Sequence, residues 1–340
     1  MTGSTDRRAR HDRVAAALAA LDDDALGALL ADGTDGSVGV GGGTSVVDVD
    51  GVAVFAKRVP VTARELAHPG STADLHGLPM ACRYGMFPLA GPGVGAWREL
   101  AANRVVTAGV LAGETESFAL LHHWRVLPGR PPVADEQRDV DAVVAQFGGS
   151  PAVRERLEEL AAATSSLVLL SEHVPSPLLD TLPDPVAAAE RVERQLGDVV
   201  AFLRRHALLH LDAHLGNLRA DGDRLALVDF GLATSARFEL TDDERAFVAA
   251  NVDHDADYVA MRLVNWLVTT VCGVPVPTDG PPVERNAYVR RCATQGVPGD
   301  VPPPVAGVLT RHGAAAARMN AFVARLHDGD LDARYAPTRG

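Results

Sequence analysis

Two short motifs that lie close together constrain the fold of this 340-residue chain more than any other feature. The first reads HLDAHLGN over residues 210–217, and the second reads VDFG over 228–231. Between them, the turn sequence DGD at 221–223 separates two short apolar runs, which predicts a β-hairpin. A hairpin would bring Asn217 and Asp229 onto adjacent strand ends, where an amide oxygen and a carboxylate could share one metal ion.

Either motif alone is a weak signal, because H-x-D and D-x-G patterns occur by chance in Asp-rich chains. In this order and at this spacing they are typical of phosphoryl transfer. Asp212 would orient an attacking hydroxyl, Asn217 would bind a metal ion, and Asp229 would hold a Mg²⁺ that bridges nucleotide phosphates. The alternative interpretation is that Asp212 and Asn217 cap local turns while Asp229 ends a strand.

With these motifs the chain resembles the protein-kinase-like superfamily. The resemblance implies an α+β, bilobal protein-kinase-like fold with a small antiparallel-sheet N-lobe and a mostly helical C-lobe, and it implies ATP and Mg²⁺ as cofactors. The predicted domains are an N-terminal tail and helix at 1–35, an N-lobe at 36–174 with insertions at 58–96 and 129–160, and a C-lobe at 175–340 that carries the catalytic loop.

The periodicity of apolar residues predicts the helices. Residues 1–13 are polar and are predicted to be disordered, whereas the spacing over 12–31 predicts a helix or a broken pair of helices. An amphipathic helix is predicted over 185–209, where it leads into the catalytic loop, and further helices are predicted over 241–272 and 305–327.

Composition excludes several classes of function. The net charge of -12 argues against a nucleic-acid partner, because binding to polyphosphate requires concentrated Lys and Arg. The three cysteines, Cys82, Cys272 and Cys292, are far apart, which fits reduced thiols and neither a disulfide framework nor a zinc site. The first residues lack the apolar run of a secretory signal, and 261–277 is too short and too interrupted to span a bilayer. We therefore expect a soluble, cytoplasmic protein without a membrane partner.

A glycine-rich run at 36–45 precedes a strand pattern that ends in Lys57. Glycines let backbone N–H groups approach phosphates, so the predicted nucleotide contacts are Gly39, Gly41, Gly42, Gly43 and Thr44. Lys57 would neutralise the α- and β-phosphate oxygens. Taken singly, the glycines indicate only a flexible loop, and Lys57 only a solvated strand end. Phe55 stands where a small residue commonly faces the adenine, which would narrow the base pocket.

Lys57 requires an acidic partner on the following helix. Glu99, in the credible helix WRELAAN, is the preferred candidate over Glu65, which follows Lys57 too closely for a helix to lie behind the strand. The ordinary alternative is that Glu99 is a solvated helix residue. Backbone groups from Glu172 to Val174 resemble the hinge between the lobes and are predicted to meet the adenine edge.

His214 lies two residues after Asp212, in the H-x-D-x-H-x-x-N form of aminoglycoside and choline kinase-like enzymes. The resemblance implies a catalytic role for His214, and the alternative is a structural, hydrogen-bonded histidine. His210 is predicted to brace the catalytic loop. Asp255 or Asp257 would brace the same loop, although N-capping of a helix explains either equally well.

The acceptor is the least determined part of the prediction. No A-P-E segment follows Gly231, and the short acidic interval after it favours a small hydroxyl-bearing molecule, with an acidic rim that would suit a cation. The DFGLA sequence, however, follows the protein-kinase form, so a serine/threonine kinase acting on a peptide remains an alternative. A nucleotide-binding scaffold without activity is the third. The sequence leaves open the choice of ATP or GTP and the oligomeric state.

Overall fold

A computed structural model describes residues 2–39, 41–85 and 91–335 of the chain. One position of the glycine-rich run, part of the predicted insertion at 58–96 and both chain ends therefore lie outside the described residues. The fold is α+β, as predicted, with a five-stranded antiparallel sheet in the first half and mostly helices in the second.

The sheet is built from five strands with the spatial order β1-β2-β3-β5-β4. The strands are β1 (Thr34–Gly39), β2 (Gly42–Val49), β3 (Val52–Val61), β4 (Leu121–Pro128) and β5 (Ser165–Glu172). The Asp50-Gly51 turn joins β2 to β3, and β3 pairs with β5 so that Lys57 lies opposite Leu169. Because side chains alternate along a strand, each strand contributes to both faces of the sheet.

Helices cover both faces. On one face, Val54, Ala56, Val168 and Leu170 pack against the first two helices, α1 (Thr2–Ala20) and α2 (Asp23–Ala31). On the other face, Val61, Leu167 and Leu169 pack against Trp97 and Leu100 of α4 (Ala96–Leu111). A short helix, α3 (Ala63–Ala67), follows β3. The helix α4 is thereby held behind the strand that carries Lys57.

The insertion predicted at 129–160 contains two helices, α5 (Val140–Gln146) and α6 (Pro151–Ala161). With Leu78, Ala81 and Cys82 they form a small apolar cluster of their own. Short 3-10 helices occur at Met80–Arg83, Asp135–Gln137, Leu178–Thr181 and Leu215–Asn217.

The second half of the chain forms the largest apolar core. Its helices are α7 (Pro185–Arg205), α8 (Asp242–Ala250), α9 (His254–Thr270), α10 (Val283–Gln295) and α11 (Pro303–His327), in agreement with the helical pattern of the sequence. Its short strands are β6 (Ser176–Pro177), β7 (Leu208–Leu209), β8 (Leu218–Asp221), β9 (Arg224–Leu227) and β10 (Thr234–Ser235). The predicted hairpin is β8 and β9, which pair from Leu218–Leu227 to Asp221–Arg224.

The prediction of disorder for residues 1–13 is wrong, because α1 runs from Thr2 to Ala20. Val14 and Leu18 are fully buried on the sheet, and Arg7 is 5% exposed in a set of ion pairs. The ion-pair partners of Arg7 lie more than 100 positions away in the chain, so these contacts leave no periodic signal in the polar segment. None of the described helices is both long and apolar enough to cross a bilayer.

Candidate functional site

A cavity of about 460 Å³ lies between the sheet and the β8–β9 hairpin. The sheet lines it with Val46, Phe55 and Leu169, and the hairpin closes it with Leu227 and Val228. At one end the lining is polar and includes Lys57, Glu99, Asn217 and Asp229. The cavity thus has an apolar part, which Phe55 lines, and a charged end.

Three charged side chains form the lysine cluster at the polar end, namely Lys57, Glu99 and Asp229. Lys57 Nζ lies 2.7 Å from Glu99 Oε1 and 2.9 Å from Asp229 Oδ1. Although burial opposes it, the two carboxylates raise the pKa of Lys57, and Lys57 lowers the pKa of Asp229 to about 2. Lys57 and Asp229 therefore stay charged over the physiological pH range, whereas burial raises the pKa of Glu99 against the opposing effect of Lys57.

The choice of Glu99 over Glu65 as the partner of Lys57 agrees with this geometry. Glu65 turns to the insertion instead, where its carboxylate pairs with Arg156 at 2.9 Å and accepts a hydrogen bond from the first helical N–H of α4, at Ala96. Glu65 therefore fixes the start of the helix that carries Glu99, because it satisfies one of the otherwise unpaired N–H groups there.

Backbone hydrogen bonds anchor the catalytic loop from α9. Asp255 accepts a hydrogen bond from the backbone N–H of His210 at 2.6 Å and another from that of Leu211 at 2.9 Å. The buried ring of His210 contacts the Val228 carbonyl at 3.1 Å. Of the two aspartates considered from the sequence, Asp255 braces the loop. Leu211 and Asp229 both have positive φ, at 64° and 66°, a strained conformation that persists only where surrounding contacts impose it.

Among the residues that the structure describes, Asp212 has no cationic partner at hydrogen-bonding distance. The Asn217 side-chain amide donates to the Asp212 carbonyl at 2.9 Å and to its carboxylate at 3.2 Å. Burial and the nearby charge of Asp229 raise the pKa of Asp212 to about 8. A carboxyl with such a pKa can exchange a proton near neutral pH, which suits general acid–base chemistry.

His214 lies at the edge of this group. Its Nδ1 accepts a hydrogen bond from the Gly216 N–H at 2.9 Å, and its Nε2 is 3.8 Å from Asp212 Oδ2. Burial lowers the pKa of His214 to about 4, so the ring is neutral. These contacts support the loop-bracing alternative for His214, while its position beside Asp212 leaves Nε2 able to contact a substrate.

The predicted nucleotide contacts of the glycine-rich run do not all lie in one place. A Cβ atom on Gly41 would lie 2.9 Å from Lys57 Nζ, and one on Gly231 would lie 3.2 Å from Asp229 Oδ1. Side chains there would fill the space over the lysine cluster that phosphate oxygens require. Gly39 and Gly42, with Gly41, line a second cavity of about 260 Å³ that also touches Glu99. Gly43 instead lies against Pro131, and Thr44 lines the first cavity while its hydroxyl bonds to Ser37.

The hinge-like segment also lines the first cavity, through Glu172, His173 and Val174. The backbone N–H of Glu172 donates to the Leu120 carbonyl at 2.8 Å, so that group is not free to meet a base. The Glu172 side chain is buried between two arginines, 2.6 Å from Arg7 and 3.1 Å from Arg224. Its role is therefore structural, and sequence reasoning missed both arginines because each is distant from it in the chain.

A second set of ion pairs missed from the sequence holds α4 against α8. Glu244 Oε1 lies 2.7 Å from Arg98 and 2.8 Å from Arg83, and all three side chains are nearly fully buried. Arg83 also pairs with Asp74 at 2.8 Å. Arg98 precedes Glu99, so the network fixes the helix that supports Lys57. In the sequence, the sign of Glu244 is the T-x-x-E capping box that begins at Thr241, because Glu244 completes this box.

The donor set at the polar end fits a hard divalent cation. Asp229 stays ionised, and the Asn217 amide nitrogen is used by Asp212, which leaves its oxygen as a ligand. The two residues are neighbours, because the Val228 N–H donates to the Asn217 carbonyl at 3.0 Å. Mg²⁺ is commonly bound by one or two protein oxygens plus substrate phosphates. Within the described ranges, no group of three or more His, Cys, Asp or Glu side chains could hold a metal ion by itself.

The comparisons with known proteins give no family for this chain. No protein-family model matches it, and no curated protein matches it. The functional argument therefore depends on the residues and their geometry.

Proposed function

We propose that this protein is an ATP- and Mg²⁺-dependent phosphotransferase with a bilobal protein-kinase-like fold, which transfers the γ-phosphate to an acceptor hydroxyl. One observation carries the proposal: the lysine cluster lies at the charged end of a cavity next to the anchored catalytic loop. Lys57, Glu99 and Asp229 come from three separate elements of the chain and meet within hydrogen-bonding distance. Burying charged side chains costs free energy, and clusters of this kind are common at functional sites. The burial of these three charged side chains therefore supports a functional role for the lysine cluster.

Each residue then has a distinct task. Lys57, held by Glu99, would contact the phosphate oxygens, and Asp229 with Asn217 would hold Mg²⁺, which supplies neutralisation of the phosphate charge when bound. Asp212 would orient the acceptor hydroxyl and receive its proton as the new P–O bond forms and the bond to the ADP oxygen breaks. The pKa of about 8 for Asp212 makes the carboxyl a competent proton acceptor once positive charge is near.

The acceptor is more consistent with a small molecule than with a peptide. From the end of the DFG motif at Gly231 to α8 at Asp242 the chain is short, and it is occupied by β10 and by contacts of Glu239 to Ser71 and Thr72. Little chain remains to build a floor for an extended peptide. A serine/threonine kinase stays the second candidate because the DFGLA sequence follows the protein-kinase form.

Binding of nucleotide tests the first half of the proposal. Mg²⁺ with ATP should raise the melting temperature of the wild-type protein, because ligand binding stabilises the folded state. Lys57→Met should weaken the shift, whereas Arg58→Met, at the next position of the same strand, should leave it unchanged. Among the described residues, the side chain of Arg58 donates hydrogen bonds only to the Pro128 and Gly129 carbonyls. No shift in the wild type at saturating Mg²⁺ and ATP would exclude the nucleotide site.

Turnover tests the second half. Release of ADP should be measured with aminoglycosides, nucleosides and choline-like alcohols on one side and Ser/Thr peptides on the other. Turnover with small alcohols supports the proposal, and turnover with peptides alone favours the second candidate. Retained nucleotide binding without turnover on any acceptor would favour a nucleotide-binding scaffold, the remaining alternative.

A further inference from the structure

One face of α9 follows the catalytic loop. Asp255 on this face holds the backbone of His210, and Tyr258, about one turn later, donates its hydroxyl to the Gly85 carbonyl at 3.1 Å. Gly85 lies directly against Asp212, since a Cβ at Gly85 would fall 2.2 Å from Asp212 Cγ. Arg262 comes one further turn along the same stripe, because residues three to four apart share a helix face.

Arg262 is a cation without a partner at this position. It is partly exposed, and it forms no hydrogen bond or ion pair with any residue that the structure describes. Its place one turn after Tyr258, which contacts Gly85 beside Asp212, puts it on the side of α9 that faces the reacting carboxyl, and its charge opposes burial and Asp229 in setting the pKa of Asp212. It is therefore available to a ligand that approaches Asp212.

Arg285 of α10 is a second cation, and it faces α9 because it shares a helix face with Val289 and Cys292, which pack in the core with α9. Burial and the charge of Arg262 lower the pKa of Arg285 to about 10. Its Nη2 donates to Asn286 at 3.2 Å, its Nε is buried without a partner, and no acidic side chain pairs with it in the described part of the chain. Two nearby like charges that are withdrawn from water destabilise the fold unless an anion joins them.

The acidic residues after the DFG motif differ in how they are paired. Glu244 is buried with Arg83 and Arg98, which balance its charge. Glu239 is exposed and accepts hydrogen bonds from two neutral groups, Ser71 at 2.7 Å and the Thr72 N–H at 2.8 Å, and Asp243 is exposed as well. These two carboxylates are solvated, in contrast to Arg285, whose Nε is buried.

We propose that Arg262 and Arg285 form an anion-binding subsite beside Asp212, and that the acceptor is a small hydroxyl compound that also carries a carboxylate or phosphate group. The substrate class rests on the proposed function, whereas the anion subsite does not. Guanidinium groups suit both anions because their N–H donors match two oxygens at once.

Inorganic phosphate is the probe for the subsite, titrated against chloride at constant ionic strength with the melting temperature as readout. The wild type should be stabilised by phosphate, and Arg262→Gln or Arg285→Gln should weaken phosphate binding at least ~10-fold, as for loss of a charged hydrogen bond. Arg290→Gln, on an exposed position of α10, and Lys57→Met should both retain the response. Lack of stabilisation in the wild type, or loss in Lys57→Met with retention in Arg262→Gln, would overturn the subsite.

The unliganded variants give a readout that a merely structural role would not produce. Without phosphate, Arg285→Gln should melt at the same temperature as the wild type or higher, because the substitution removes a repulsive charge. A drop of several degrees would mean that Arg285 supports the fold and would contradict the proposal.

A matched set of acceptors tests the substrate class. Glucose, glucuronate and glucose 6-phosphate differ in the group that meets the subsite, so the two anionic members distinguish carboxylate from phosphate. The wild type should show a higher kcat/KM with an anionic acceptor, and Arg262→Gln should lose that preference. Equal turnover of neutral and anionic acceptors by both proteins would refute the substrate class alone. Phosphate binding that behaves as expected, with no Mg²⁺ and ATP binding, would instead refute the proposed function.

Discussion

The lysine cluster and Arg262, which with Arg285 forms the pair of arginines, both act on the charge of Asp212, yet the charges of the cluster and the pair are balanced in opposite ways. Lys57 has two carboxylates within 2.9 Å, and those carboxylates are held by Lys57 in return. Arg262 and Arg285 have no acid to pair with among the described residues. The first group is assembled before any ligand arrives, whereas the second would reach electrical balance only with a ligand.

Asp212 lies between the two groups and belongs fully to neither. Among the described residues it touches no cation at hydrogen-bonding distance, and burial and Asp229 raise its pKa while Arg262 lowers it. If the proposed function is correct, the nucleotide side is preorganised, which would favour catalysis because no reorganisation is needed during the reaction. On the same proposal, the unpaired arginines would select the acceptor.

The largest expected effect separates the two aspartates. Asp212→Asn should lower kcat by ~10²–10⁴-fold, the range for loss of a general base, with Mg²⁺ and ATP binding nearly intact. Asp229→Ala should weaken the Mg²⁺-dependent binding itself, because it removes a metal ligand. Steady-state kinetics and calorimetric titration of nucleotide measure the two effects. Similar, mild effects from both substitutions would show that their roles are misassigned.

The next effect tests how firmly the lysine cluster is held. Glu244→Ala leaves Arg83 and Arg98 buried with only Asp74, and the free energy of unfolding should fall by about 3–5 kcal/mol in urea denaturation. Asp243→Ala, at the exposed neighbouring position of α8, should change it by less than about 0.5 kcal/mol. A small loss from Glu244→Ala would mean that α4 does not depend on this network.

A smaller effect is expected where α1 meets the hinge-like segment. Arg7→Ala removes the hydrogen bonds of α1 to Glu172, which keeps Arg224 at 3.1 Å and the more distant Arg10 at 3.9 Å, so the free energy of unfolding should fall by ~1–3 kcal/mol. Arg13→Ala, exposed on the same helix, is the matched control. Equal stability of the two variants in chemical denaturation would show that α1 is only loosely attached there.

The last prediction concerns the pH dependence of stability. The folded-state pKa of Asp212, about 8, lies above its ordinary value of 3.8, so the folded protein binds more protons than the unfolded chain between these values. The stability from this carboxyl is fully present below pH 3.8, declines as the pH rises, and levels off above about 8. The free energy of unfolding of Asp212→Asn minus that of the wild type should therefore increase with pH up to about 8.

A substitution of Arg262 provides a second test of the raised pKa of Asp212. Because its charge lowers the pKa of Asp212, Arg262→Gln should extend the decline to higher pH, whereas Arg290→Gln should not. A difference between Asp212→Asn and the wild type that is flat from pH 5 to 9 would contradict the raised pKa.

The sequence predicted the strands and helices that carry the site residues better than it predicted the buried ion pairs that hold them in place. The hairpin, the amphipathic α7, and the pairing of Lys57 with Glu99 follow from turn chemistry, helical periodicity and the length of chain between strand and helix. The contacts of Arg7 with Glu172 and of Glu244 with Arg98 could not be predicted, because buried ion pairs join residues that share no local pattern. The disorder predicted for residues 1–13 failed for the same reason.

The sequence by itself determined which chemical groups are present and the order in which strands and helices deliver them. Periodicity and turns are local properties, and they act wherever the chain lies. Only the tertiary structure decided which charges are satisfied. In the folded chain, Glu172 pairs with two arginines and Glu65 pairs with Arg156. Arg262 and Arg285 have no acidic partner among the described residues. The balance of a charge depends on its neighbours in space and on its distance from water, and neither can be read from position along the chain.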